Sequence, residues 1–394
     1  MTTNLPMNKK MIYRWLHVLW LLPGLWLVGC STDKGAEAVD ATAPCPIVFS
    51  VSTEETPEET RGYLLNELDG EFGLFCAKYD EDEWGDLGKP LNFMYNEMVL
   101  GSGSSWMTSE GYFVPKEENM KFFAYFPYYE DVRYGTCPIK MYGDEYTAYP
   151  VPSFTYTMPD NAEEQLDLMY AISDQVHADN QGKLGVIHMH FRHLLTAFTF
   201  AARSTESCTL KRVTLKNLYK RGDFEFKEDD ASGNPPVLRA DAAENENGGF
   251  GDVYVDLNMK LKTSYKTADA GKSFMLILQP VDDNENIVMS SEAAMWVTLD
   301  VSGKEYTFKK SLADLAPALI ASKNTLIRLS VESLKRITIG ATITNWGHGA
   351  NFDGAVSDQP TLELEPLIID WDDEDSNGNS TTTDFVTGPQ TTNP

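Results

Sequence analysis

Nearly every apolar run in the chain is short and repeats with period two, the signature of a strand whose side chains alternate between two faces. Ile47, Phe49 and Val51 alternate with other residues, as do Phe72, Leu74 and Cys76, and each set predicts a half-buried strand. From Gly111 to Tyr129 a turn at Glu117-Glu118-Asn119 leads into an aromatic strand that Pro127 ends. Asp160 to Asp174 carries the one acidic, more helix-like pattern of this half. The second half alternates more cleanly: Val253, Val255, Leu257, Met259 and Leu261 share a face, and so do Phe274, Leu276 and Leu278. Met295, Val297, Leu299 and Val301 run through Ser302-Gly303 to Tyr306 and Phe308, a hairpin pattern. Ser311 to Ala321 predicts a short helix limited by Pro317, followed by strands through Ile327, Leu329 and Val331 and through Ile337, Ile339, Ala341 and Ile343. Many short strands with almost no helix predict an all-β fold of sandwich type, with no fixed-period repeat.

The stretch Gly185 to Ala202, GVIHMHFRHLLTAFTFAA, organises the rest. Ile187, Met189 and Phe191 lie on one face and His188, His190 and Arg192 on the other, yet Phe198 and Phe200 fall on the opposite parity. The buried face flips between His193 and Thr196, which requires a bulge or a strand break. One β-sandwich is expected to end here and a second to begin, giving domains at 45–187 and 188–347. Past Trp346 the composition changes. Thr361 to Trp371 has one more strand-like pattern, with Leu362, Leu364 and Ile368 on one parity, and Asp372 to Pro394 is a polar, low-complexity tail. Residues 348–394 therefore form a C-terminal extension, in which 361–371 is a strand with no obligation to pack on its own sandwich.

Composition adds the compartment. The chain has 394 residues, a formal charge of −27 and 42% hydrophobic residues, a globular composition. So acidic a surface repels nucleic-acid phosphates and anionic headgroups, which excludes nucleic acid as a partner. Lys9, Lys10 and Arg14 precede the apolar run Trp15 to Val28, too short for a membrane span and laid out as a secretory leader, with Met7 an alternative start. The run ends Leu27-Val28-Gly29-Cys30, which resembles the bacterial lipobox. The expectation is a signal peptide at 1–29, a lipidated Cys30 and a flexible spacer over 30–44 that tethers the protein outside the cytoplasm. Exported Cys45, Cys76, Cys137 and Cys208 can be disulfides in three pairings or buried free thiols; none shows a CxxC spacing.

Sites of chemistry are sparse. His188 and His190 share a strand face at a spacing that can chelate a metal, but no third ligand is indicated and Arg192 repels a cation, so solvent-facing or interface histidines are expected. Carboxylate runs such as Asp80 to Glu83, Asp229-Asp230 and Asp372 to Asp375 read as solvated surface, lacking glycosidase or EF-hand placement. No Ser-His-Asp order, phosphate loop or HExxH is present, so no enzyme, catalytic residue, metal or cofactor is expected. Trp84, Trp106 and the region Tyr125 to Tyr129 offer aromatics that can stack on sugars, and a surface lipoprotein that captures glycan is the alternative reading.

Six segments in order carry a resemblance: the lipobox at Cys30, Thr60-Arg61, the aromatic YFVPKEENMKFFAYFPYY, DLMYA at Asp167 to Ala171, HFRHLLTAFTF at His190 to Phe200 and TITNW ending at Trp346. Together they resemble the fimbrillin-like family of lipoproteins, the type V pilus subunits of anaerobic Gram-negative bacteria. The resemblance implies two transthyretin/Ig-like β-sandwich domains in tandem, a lipid anchor in the outer membrane, and a stalk, tip or anchor role in a surface fibre. It also implies partners: other pilus subunits through strand insertion, and a host or glycan ligand. In the family an Arg-directed protease removes the first strand and opens a groove for a donor strand; the matching position here is Arg61. The donor candidate is 361–371 with Leu362, Leu364 and Ile368, although Pro366 interrupts its ladder. The family pattern ends soon after the Trp, whereas this chain runs on to Pro394.

Overall fold

The structure, a computed structural model, describes residues 45–53, 68, 70–79, 91–102, 105–132, 137–141, 152–179, 182, 184–229, 235–240, 250–268, 275–277, 290–312, 323–333, 336–345 and 367–368. Strands dominate them. The first ten are β1 (Phe49–Thr53), β2 (Phe72–Tyr79), β3 (Met94–Ser102), β4 (Ser105–Thr108), β5 (Asn119–Phe126), β6 (Ile139–Met141), β7 (Ser153–Thr157), β8 (Met169–Ile172), β9 (Val176–His177) and β10 (Ile187–His193). Then come β11 (Thr196–Ser204), β12 (Thr209–Tyr219), β13 (Arg221–Glu225), β14 (Arg239–Ala240), β15 (Phe250–Lys260) and β16 (Lys266–Thr267). The last are β17 (Met275–Ile277), β18 (Ala294–Val301), β19 (Lys304–Ser311), β20 (Lys323–Ser333), β21 (Arg336–Asn345) and β22 (Leu367–Ile368).

The N-terminal half closes on itself. Its sheet runs β2-β3-β4-β1-β10-β8-β5-β9, and β2 also pairs with β5 from Gly73↔Tyr125 to Tyr79↔Asn119, so the ends meet in a barrel-like ring. Closure leaves the paired strands without a free edge. Inside lie Phe49, Phe72, Leu74, Met94, Val99, Trp106, Phe122, Met169, Met189 and Phe191. A four-stranded sheet, β14-β13-β7-β6, lies against the outer wall, where Phe75, Phe123, Tyr125 and Tyr170 meet Phe154, Tyr156, Phe224 and Phe226.

This second core corrects two expectations. The strand through Phe72, Leu74 and Cys76 is not half-buried: Phe75, Ala77 and Tyr79, on its other parity, are buried as well. The helix-like stretch Asp160 to Asp174 forms only a 3-10 turn at Ala162–Glu164, capped by the Asn161 side chain, and continues as β8. Its apolar residues fall on adjacent positions because β8 separates two cores: Met169 and Ala171 face the barrel interior, Leu168 and Tyr170 the outer core.

The chain leaves the barrel where the parity flips. β10 ends at His193, the buried Leu194 and Leu195 make the break, and β11 begins in a different sheet. That sheet, β16-β11-β20-β21-β22 with β17 also on β11, shares its core with a four-stranded sheet, β15-β12-β18-β19. The strands do not divide cleanly by sequence, however. After β12 the chain passes through buried Lys220, whose ammonium reaches Asp160 at 2.8 Å, and β13 pairs with β7 of the first half. The hairpin of β18 and β19 turns at Ser302 and Gly303, with φ of 57° and 85°, a two-residue turn of the kind that matches strand twist. Of the short helix expected over 311–321, Ser311 instead ends β19 and Leu312 is a 3-10 residue, while the remainder lies outside the described residues.

Candidate functional site

β1 is the strand whose attachments differ most from those of its neighbours. It runs parallel to β10 from Phe49↔Ile187 to Thr53↔Phe191, and meets β4 at one antiparallel pair, Phe49↔Trp106. Parallel ladders are slightly weaker per residue. Just before it, the Ile47 N–H donates to the Tyr112 carbonyl at 3.1 Å and the Val114 N–H to the Cys45 carbonyl at 2.9 Å. Ile47, two residues before it, and its own Phe49 belong to the barrel core, and Phe49 meets Phe122 edge-on with ring centroids 5.4 Å apart.

Its outward residues form a polar ladder with β10. Ser50 Oγ lies 3.0 Å from His188 Nδ1; Ser52 Oγ lies 3.0 Å from His188 Nε2 and 2.9 Å from His190 Nδ1. The two imidazoles are engaged by serine hydroxyls across the seam, which holds β1 to β10 from outside while Ile47 and Phe49 hold it from within. Among the described residues no group of three or more His, Cys, Asp or Glu is placed to bind a metal. Two residues further, the Arg192 guanidinium donates to Asp229 at 2.5 Å, which pushes its already high pKa higher. His193, on the other parity, is buried and paired at 2.8 Å with Asp167, whose side chain is 6% exposed.

The aromatic residues proposed for sugar stacking are differently placed. Trp106 is 3% exposed inside the barrel against Phe72, and Tyr125 is wholly buried, so neither offers a surface; Trp84 lies outside the described residues. The Tyr125 hydroxyl donates to Asn96 Oδ1 at 2.8 Å and accepts from the Tyr129 N–H at 3.2 Å. Burial pushes its phenol well above the usual range, and that of Tyr129 up to about 12. All four cysteines of the described chain are free thiols; burial raises the pKa of Cys76 inside the barrel and of Cys208 just before β12.

Cys30, Arg61, Leu362 and Leu364 lie outside the described residues. Ile368 sits in β22, whose backbone pairs antiparallel with β21 at Thr338↔Ile368 and Ile339↔Leu367. The C-terminal extension thus adds a short strand to an edge of its own chain. Sequence reading missed Ser50 and Ser52, because their partner His188 lies 138 and 136 residues away and no local pattern marks a parallel pairing.

Comparison with known proteins places this geometry in context. The fimbrium subunit Fim1C of Phocaeicola vulgatus is 27% identical over 190 residues, 45% of this chain and 48% of that protein, so the alignment spans about half of the relative. A crystal structure of a fimbrial protein from Bacteroides vulgatus aligns over 76% of this chain and 99% of its own, at 14% identity and a TM-score of 0.47. The fimbrial anchor protein Mfa2 from Porphyromonas gingivalis aligns over 77% of this chain and 98% of its own, at 14% identity and a TM-score of 0.32. The fimbrillin-like family model matches residues 70–346, well over half of the sequence, and this chain therefore belongs to the fimbrillin-like family.

Proposed function

We propose that the chain is a structural and adhesive subunit of a bacterial surface pilus, exported as a lipoprotein through Cys30 and joined to other subunits by donor-strand exchange. The observation that carries this reading is β1: a short parallel strand with a single pair to β4, just upstream of Arg61. Excising it after cleavage at Arg61 empties the slot filled by Ile47 and Phe49 and bares the backbone edges of β10 and β4. An extended segment from another subunit remedies both, its backbone supplying affinity and its alternate side chains specificity. The segment 361–371, with Leu362, Leu364 and Ile368, is the donor in this reading. The name of the relative Fim1C, a fimbrium subunit, supports the same assignment. We place the domain division between the barrel with its covering sheet and the sheet pair that follows, at the break between β10 and β11 near 194/195 rather than at 187/188, with 221–240 returning to the first domain.

Limited digestion of the purified protein with an Arg-specific protease is expected to cut at Arg61 and yield SDS-resistant ladders. Truncation after Trp346 should abolish them while leaving the cut intact. Ladders that survive the truncation remove the tail as donor. Lipidation is checked separately: labelled palmitate should enter the wild type and not Cys30→Ser.

A further inference from the structure

The four-stranded sheet β15-β12-β18-β19 buries one face in the core through Leu210, Val213, Val255, Val297, Leu299 and Phe308. Its other face carries a row that crosses all four strands: Tyr254 opposite Thr214, Thr214 opposite Trp296, and Trp296 opposite Lys309. Both aromatics are partly exposed, as is the smaller Thr214 between them. Two strand spacings separate the rings' backbones by about 10 Å.

Charged groups edge the row. Arg212 stacks over Tyr254 with its guanidinium carbon 4.3 Å from the ring centre, and forks onto Asp256 with contacts of 2.7 and 2.8 Å. The pairing raises the pKa of Arg212 and lowers that of Asp256. Lys216 reaches Asp252 at 2.5 Å and also lies 4.8 Å from the Trp296 ring centre. Lys309 lies 4.7 Å from the same ring and has no carboxylate partner among the described residues. In a chain of charge −27 this is a locally cationic end, where the nearby acids Asp252 and Asp256 are already paired with Lys216 and Arg212. Asp300 and Glu305 lie toward the hairpin, away from Lys309, and repel an anion there, which gives the face a direction.

We propose that this face is a glycan-binding platform for an oligosaccharide bearing hexuronic acid. A pyranose ring has an apolar face of C–H groups and a rim of hydroxyls, which suits an aromatic floor bordered by fixed hydrogen-bonding groups. Trp296 seats one sugar ring. The Arg212–Asp256 fork, held over Tyr254, presents donors and acceptors together to hydroxyls of the next ring along the row. The sugar carboxylate draws Lys309 off the indole into an ion pair, and the ring face it leaves takes the C–H face of the sugar; the cation–π contact holds the lysine in place until then. This site differs from the aromatics that the sequence suggested for sugars, and it does not depend on strand exchange.

The test is retardation of the full-length, detergent-solubilised protein in native gels containing polygalacturonate, with uncharged dextran as the parallel arm. Retardation by polygalacturonate and not by dextran is expected. Trp296→Ala should weaken it at least tenfold and Lys309→Gln at least fivefold. In titrations with oligogalacturonate the wild type should change its tryptophan emission and Trp296→Phe should not, a readout that global instability does not mimic. Wild-type retardation in both variants overturns the proposal, as does equal retardation by dextran. Concentration-dependent self-association lost in Trp296→Ala, without glycan retardation, overturns it in favour of a contact between copies.

Discussion

Tyr125 shows how one buried side chain couples the barrel to pH. Its hydroxyl bridges Asn96, which holds a φ of 54°, and the Tyr129 backbone, in a position with almost no access to water. Burial raises its pKa, and those of Tyr79 and Tyr129 rise to about 12. A phenol whose folded pKa lies above its unfolded value of about 10 contributes stability that is full below pH 10 and lost as pH climbs through the folded pKa. Alkali therefore unfolds the protein by ionising tyrosines in the denatured chain. Tyr125→Phe should cost about 1–3 kcal/mol at pH 7 through the lost hydrogen bonds. The deficit should shrink by about 1 kcal/mol by pH 11, because the variant has one fewer phenol to ionise. Urea unfolding at the two pH values measures both quantities, and parallel curves at pH 7 and 11 would contradict a neutral buried phenol.

At the scale of elements, legibility in the sequence depends on how many faces a strand buries. The hairpin of β18 and β19 was legible because one face meets the core and the other meets solvent, so Met295, Val297 and Leu299 alternate with Trp296 and Thr298, and Ser302-Gly303 marks the turn. β2 and β5 were legible as strands but not as strands buried on both faces, and β8 was masked by a helix-like pattern, because each lies between two cores and its apolar residues lose their period. The same double burial explains Gly73. It stands opposite Tyr125 on the outer wall, and a Cβ there would lie 2.1 Å from a carbon of that ring. A glycine within a strand costs entropy, but here the aromatic ring covers it. Gly73→Ala must displace Tyr125 or open the β2–β5 pair, the contact that closes the barrel. A loss of about 1–3 kcal/mol in thermal or denaturant unfolding is expected, whereas Gly111→Ala, where nothing lies within 4 Å, should change stability far less. Equal effects would mean that the ring yields freely.

For the whole molecule, the question is how the ring opens. Ile47 and Phe49 each contribute about 1.5–3 kcal/mol of burial, so losing β1 removes a large share of a typical domain's 5–15 kcal/mol. A chain cut at Arg61 and deprived of a donor should therefore melt well below the intact protein and bind a hydrophobic dye. The C-terminal extension already lays β22 against β21, a short pairing that a competing edge can displace. Mixing the cut chain, truncated after Trp346, with a peptide of residues 361–371 should restore the lost melting temperature. A donor seated between β4 and β10 is paired on both sides, so Pro366 leaves one acceptor without its N–H. A peptide with Pro366→Val should bind more tightly than the natural one, and a peptide with Leu362 and Leu364 both changed to Asp should not bind. Recovery with the aspartate peptide would show that backbone pairing alone fills the seam, and failure of every peptide would place the donor elsewhere in the assembly.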